Sequence, residues 1–151
     1  MDLALSLHVL SVVVWVGGMF FAYVVLRPEA ASQLEPPERL SLWAGVLRRF
    51  FHWVFACIGL ILVSGFWIIF SVYGGFAVLG LHIHLMLGIG IVMMLIFLHV
   101  FFAPYRRLKQ AVAVADWAAG GRYLAQIRVL VGINLLLGLV TTAIGTGGRF
   151  F

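Results

Sequence analysis

Leu79-Gly80-Leu81-His82-Ile83-His84-Leu85-Met86-Leu87-Gly88-Ile89-Gly90, continuing through Ile91-Val92-Met93-Met94-Leu95-Ile96-Phe97-Leu98-His99-Val100-Phe101-Phe102, decides the fold. The stretch holds no Asp, Glu, Lys or Arg. A helix needs roughly 20 apolar residues to cross about 30 Å of hydrocarbon, and this run exceeds that. Three more stretches pass the same test: Leu3–Leu26, Phe50–Val72 and Val129–Thr146. In hydrocarbon a helix satisfies its own backbone hydrogen bonds. The alternating pattern of a barrel strand is absent, so the sequence predicts an all-α fold, a four-helix transmembrane bundle in one domain over 1–151.

Composition points the same way. Hydrophobic types make up 64% of the 151 residues and charged types 10%, with a mean hydropathy of +1.15. A soluble domain is about a quarter charged. The net charge of +5 does not signal a nucleic-acid groove, because it is confined to connections. Arg27, Arg39, Arg48 and Arg49 lie between the first two spans. Arg106, Arg107, Lys109, Arg122 and Arg128 lie between the last two, and Arg149 follows the fourth. The link Tyr73-Gly74-Gly75-Phe76-Ala77-Val78 carries no charge. By the positive-inside rule both termini lie on the outer, periplasmic side of a bacterial inner (plasma) membrane. Nucleic acid is excluded as a partner. The lipid bilayer is the certain one, and a quinone, a redox partner or a second copy of the chain are candidates.

The basic connections read as partly helical. Glu35-Pro36-Pro37-Glu38 is a stop, after which Arg39 to Arg49 run helically into span 2, with Pro37 suited to a first turn. Pro104 to Ala119 reads as an amphipathic stem broken at Gly120-Gly121. The single cysteine, Cys57, permits no intrachain disulfide. The N-terminal stretch is too long for the apolar core of a signal peptide and lacks a basic lead.

All five histidines fall in or at the edge of a span, and an ionisable group at membrane depth is a functional candidate. They form two layers: His8, His82 and His84 toward the outer side, His52 and His99 toward the basic side. Two imidazoles on facing helices suit the axial positions of haem b, and His8 with His84 is the expected pair. His82 and His84 lie about 200° apart around a helix. His84 shares its face with Gly88, Ile91, Leu95 and His99; His82 shares its face with Met86, Ile89 and Met93. The second stripe offers imidazole and thioether, which suit Cu(I). Copper bound through His8, His82, His84 and Met86 is therefore the alternative, and a structural or assembly subunit of a membrane complex a third reading. Plain interface histidines and packing methionines are the ordinary explanation of each residue taken singly. No hydrolytic triad, phosphate loop or dinucleotide fingerprint is present, and no acidic residue sits in mid-span to drive a proton-coupled carrier.

The run Leu7-His8-Val9-Leu10 with Val14-Trp15-Val16-Gly17-Gly18-Met19-Phe20 resembles the first helix of CopD-like (copper resistance protein D) membrane proteins. That group is similar to HemJ-type protoporphyrinogen oxidases, four-helix proteins that bind haem b. Leu81-His82-Ile83-His84-Leu85, His99 and Arg128 extend the resemblance. It implies a haem b protein with an electron-transfer or oxidoreductase role, cofactor contacts from His8, Trp15, His84 and His99, and metal contacts from His8, His82 and His84. In the HemJ-type pattern lysine stands where this chain has His84, and that pattern's Asn-Glu and proline do not follow Arg128.

Overall fold

A computed structural model describes residues 2–148; Arg149 lies outside them. Six α-helices account for most of the chain: α1 (Asp2–Phe20), α2 (Arg27–Gln33), α3 (Pro36–Ser71), α4 (Leu81–Phe102), α5 (Pro104–Ala113) and α6 (Trp117–Gly147). A π-helical stretch, Phe21–Leu26, joins α1 to α2 without a break. Among the described residues there is no strand. Four continuous helical stretches are long and apolar enough to cross a membrane: Leu3–Gln33, Pro36–Ser71, Leu81–Ala113 and Trp117–Gly147. The expected spans Leu3–Leu26 and Val129–Thr146 lie within them, Phe50–Val72 overruns its helix by one residue and Leu79–Phe102 starts two residues early, and the helices continue beyond the hydrocarbon-length segments at the arginine-bearing end. We call that end of the bundle the basic end, and the opposite one, with the α3–α4 link, the turn end.

Local chemistry sets the breaks. Leu34 and Glu35 are extended, and Pro36 and Pro37 open α3 in its first turn, where a missing N–H costs nothing. The uncharged link turns on Gly74 and Gly75, with φ of +74° and +129°, values that favour glycine. The break expected at Gly120-Gly121 occurs earlier, at Val114–Asp116. There Ala115 takes φ +56°, and the Asp116 carboxylate accepts from Ala119 N–H at 3.0 Å, an N-cap. The glycines stay helical because Gly120 has a packing role: a Cβ on it would come 3.1 Å from Leu40 Cδ1.

Around the bundle α1 packs against α3 and α6, α4 packs against α6, and α5 folds back along α6. Glycines on α6 receive the facing side chains. A Cβ on Gly138 would come 2.8 Å from Val16 Cγ2 and 3.1 Å from Met93 Cε, and one on Gly145 would come 2.9 Å from Met86 Cε. Small residues of this kind let membrane helices approach closely. Gly17, Gly88 and Gly90, by contrast, have no such neighbour within 4 Å. The core between the helices holds Trp15, Met19, Phe51, Val54, Met93 and Phe97.

The two classes of glycine predict opposite responses. Gly138→Val forces side chains into an occupied seat and should cost about 1–3 kcal/mol, lowering Tm in detergent. Gly88→Ala should hold or raise Tm, by up to about 1 kcal/mol from helix propensity. Equal melting of both variants would show that Gly138 is not the seat described.

Candidate functional site

Helix α4 has two faces, and packing distinguishes them. His84, Gly88, Ile91, Leu95 and His99 are all exposed, so this stripe faces out of the bundle. Met93 is 4% exposed, and His82, Met86 and Ile89 are half-buried. The inward stripe meets α6: Met86 rests on Gly145, and the His82 Cβ lies 2.7 Å from where a Gly148 Cβ would stand. His82 therefore turns toward the bundle and His84 away from it.

His8 projects from α1 toward α3. Its Nδ1 lies 3.1 Å from Ser64 Oγ, and Ser64 Oγ donates its proton to Leu60 O. The hydroxyl has one proton to give, so in the neutral ring it is His8 Nδ1–H that donates to Ser64. That tautomer leaves the Nε2 lone pair available. Metal-bound histidines are commonly oriented this way, by a bond at the other ring nitrogen. Gly65 leaves room for the ring, whose Cε1 lies 3.3 Å from the position of a Cβ there.

The depths can be compared through Gly138, where Val16 and Met93 meet. His8 is eight residues before Val16 and Met86 seven before Met93. At 1.5 Å per residue they stand about 12 Å and about 10.5 Å nearer the turn end than that common point. They share a layer, with His82 one helical turn farther out. The soft donors Met93, Met19 and Cys57 are buried in the same core.

The remaining expected residues are placed elsewhere. His84 is exposed, with Nδ1 3.3 Å from Gly80 O. It is not brought onto His8, which faces another helix, so the placement lends no support to haem b held between them. His99 is exposed on the same outward stripe, and His52 is exposed with Nδ1 against Arg48 O. Trp15 is 3% exposed and set edge-on to Phe97 at 6.3 Å, a core position. No group of three or more His, Cys, Asp or Glu is placed to hold a metal ion among the described residues.

Two further features are Asn134, for which a polar residue within span 4 predicts an interhelical hydrogen bond, and a cavity with no sequence signal. Asn134 is 4% exposed. Its Nδ2 donates to Met93 O at 3.3 Å, the interhelical bond an asparagine in a span suggests, but Oδ1 has no partner among the described residues. It borders a cavity of about 20 Å³ shared with Met19 and Trp15, a volume that holds one water molecule. A much larger cavity, about 490 Å³, opens at the basic end between α1–α2, α3 and α6. Of its arginines, only Arg128 carries a sequence signal beyond topology, through the family resemblance.

Comparison with known families gives one match. A model of the family described as copper resistance protein D, CopD, matches residues 44–147, well over half of the chain. The matched residues begin inside α3 and end with α6, so they contain His82 and Met86, while α1 with His8 precedes them. CopD is a membrane family, and the four apolar helices are consistent with a multi-pass protein of the inner membrane. No curated protein matches, and no solved structure does.

The two faces of α4 are directly testable with nitroxide labels in a Cys57→Ala background. A label at Leu95→Cys should be mobile and accessible to oxygen dissolved in the lipid, and one at Met93→Cys immobile and shielded. Equal accessibility at both sites would mean that α4 is rotated from the orientation described.

Proposed function

This chain belongs to the copper resistance protein D family, and from that premise we propose that it binds copper within the bundle near its turn end and passes it on at or across the membrane. The basic connections orient the protein with the turn end outside, under the positive-inside rule, so the ion is taken up from the periplasmic face. Cu(I) is the species suited to the donors available, since thioether and imidazole are soft ligands. The reading assigns His8 Nε2, Met86 Sδ and His82 to the ion.

One observation carries this assignment: the layer in which His8, oriented by Ser64, and Met86, seated on Gly145, stand at a common depth between packed helices. None of its donors is acidic, so the layer buries no carboxylate, and a bound monocation adds a single charge. Met93, Met19 and Cys57 continue the soft chemistry deeper into the core. They offer onward contacts without any acidic residue in mid-span.

Cu(I) affinity of the detergent-purified protein, measured by competition with a chromogenic chelator, tests the reading. Wild type should bind Cu(I) stoichiometrically. His8→Ala, His82→Ala and Met86→Leu should each weaken binding at least about tenfold, the last with little change in volume. His84→Ala, on the outward stripe, should bind as wild type does. Unchanged affinity in the first three variants would overturn the assignment. A pyridine haemochrome assay on the same sample, if positive at one haem per chain, would favour a haem protein instead.

A further inference from the structure

The cavity at the basic end calls for a different ligand. Its volume of about 490 Å³ falls in the range of small-molecule sites, about 300–1,000 Å³. One part of its wall is apolar and aromatic, with Trp43, Phe50, Phe51 and Trp117; another carries the guanidinium groups of Arg27, Arg39 and Arg128. None of the lining residues is acidic, and none is His, Cys or Met. The site thus has three positive charges and no metal donor.

None of the three arginines forms an ion pair among the described residues. Arg27 is held in place: its Nε donates to Tyr23 O at 3.1 Å, and its Cζ lies 4.6 Å from the centre of the Tyr23 ring. The terminal nitrogens, the two that pair with an oxyanion in a fork, make no hydrogen bond to a described residue. Tyr23 belongs to the π-helical stretch Phe21–Leu26. π-Helical turns are rare and often occur at functional sites. One extra residue in a helix rotates the succeeding turns by about 100°, so this stretch sets the direction in which Arg27 leaves the helix.

We propose that this cavity binds an anionic phospholipid, with its phosphate among Arg27, Arg39 and Arg128 and the first part of an acyl chain against Trp43, Phe50, Phe51 and Trp117. Basic pockets between transmembrane helices on the cytoplasmic side commonly take acidic headgroups. Isolated lysines and arginines at a membrane surface would attract acidic lipid without enclosing it; here the charge is joined to an apolar chamber open to the same ligand. The proposal is independent of the copper reading, because the two share no residue.

Native mass spectrometry of the detergent-purified protein, with matched-chain phosphatidylglycerol, matched-chain phosphatidylethanolamine and oleate as competing probes, tests it. Phosphatidylglycerol should be retained at least tenfold over phosphatidylethanolamine, and over oleate. The double variant Arg39→Gln/Arg128→Gln should abolish the preference. Ala125→Trp, which fills the chamber without altering charge, should do the same. Arg106→Gln/Arg107→Gln, removing equal charge from the exposed face of α5, should leave it intact. Equal retention of the two phospholipids, a preference for oleate, or an equal loss in the α5 double variant would each overturn the proposal.

Discussion

The register of α1 and α4 in the bundle depends on how their side chains seat on the glycines of α6. In hydrocarbon there is no hydrophobic drive to bring apolar helices together, because lipid chains are as apolar as leucine. Association then rests on close packing, and Gly138 is where three helices achieve it. Val16 from α1 and Met93 from α4 occupy the space a side chain would take there. This contact fixes the axial register of both helices against α6. The common depth of His8 and Met86 results from it, as does the inward turn of His82. A one-residue shift in α4 would turn its faces by about 100° and exchange buried methionines for exposed leucines.

Toward the basic end, bulk replaces close approach. Phe51 and Phe55 of α3 meet Phe97 and Phe101 of α4 edge-to-face, with ring centres 4.9 to 6.1 Å apart, and Tyr105 of α5 joins Phe51 at 4.8 Å. Pairs of this kind add about 0.5–1.5 kcal/mol each beyond the area they bury. The rings hold α3 and α4 apart at a distance set by their own size. Phe50 and Phe51 contribute to this layer and also wall both cavities.

The four spans were legible because length and the absence of charge are strong signals, and the basic connections because arginine marks them. The rotation of α4 was not legible. In a soluble helix one polar face identifies the outside, but between lipid and a membrane core both faces are apolar. His84, Ile91 and Leu95 look no different in sequence from His82, Ile89 and Met93. What separates them lies on another helix, in Gly138, Gly145 and Gly148, whose partners no single-helix pattern reveals. The misplaced break before α6 has a similar origin. Gly120-Gly121 resembles punctuation, yet Gly120 is needed small beneath Leu40, and the cap at Asp116 ends the link first. The cavity of three arginines has no sequence signature because Arg27, Arg39 and Arg128 lie on three separate helical stretches, and topology alone explains a basic residue at each position.

The two ends of the bundle present opposed electrostatics, and the two proposals bear on one another through them. Under the copper proposal, the donors at the turn end would take a monovalent cation without an acidic residue beside them. At the basic end three guanidiniums that form no ion pair among the described residues raise the potential, and in a partly desolvated setting such charges are weakly screened. A cation moving toward that end through Met93 and Met19 would meet rising repulsion. An acidic headgroup among Arg27, Arg39 and Arg128 would cancel part of that field, so a lipid in the cavity would make the basic end more permissive for a cation. If both proposals hold, charge balance would link the membrane's acidic lipid content at one end to the passage of a soft metal from the other, without any contact between the two ligands.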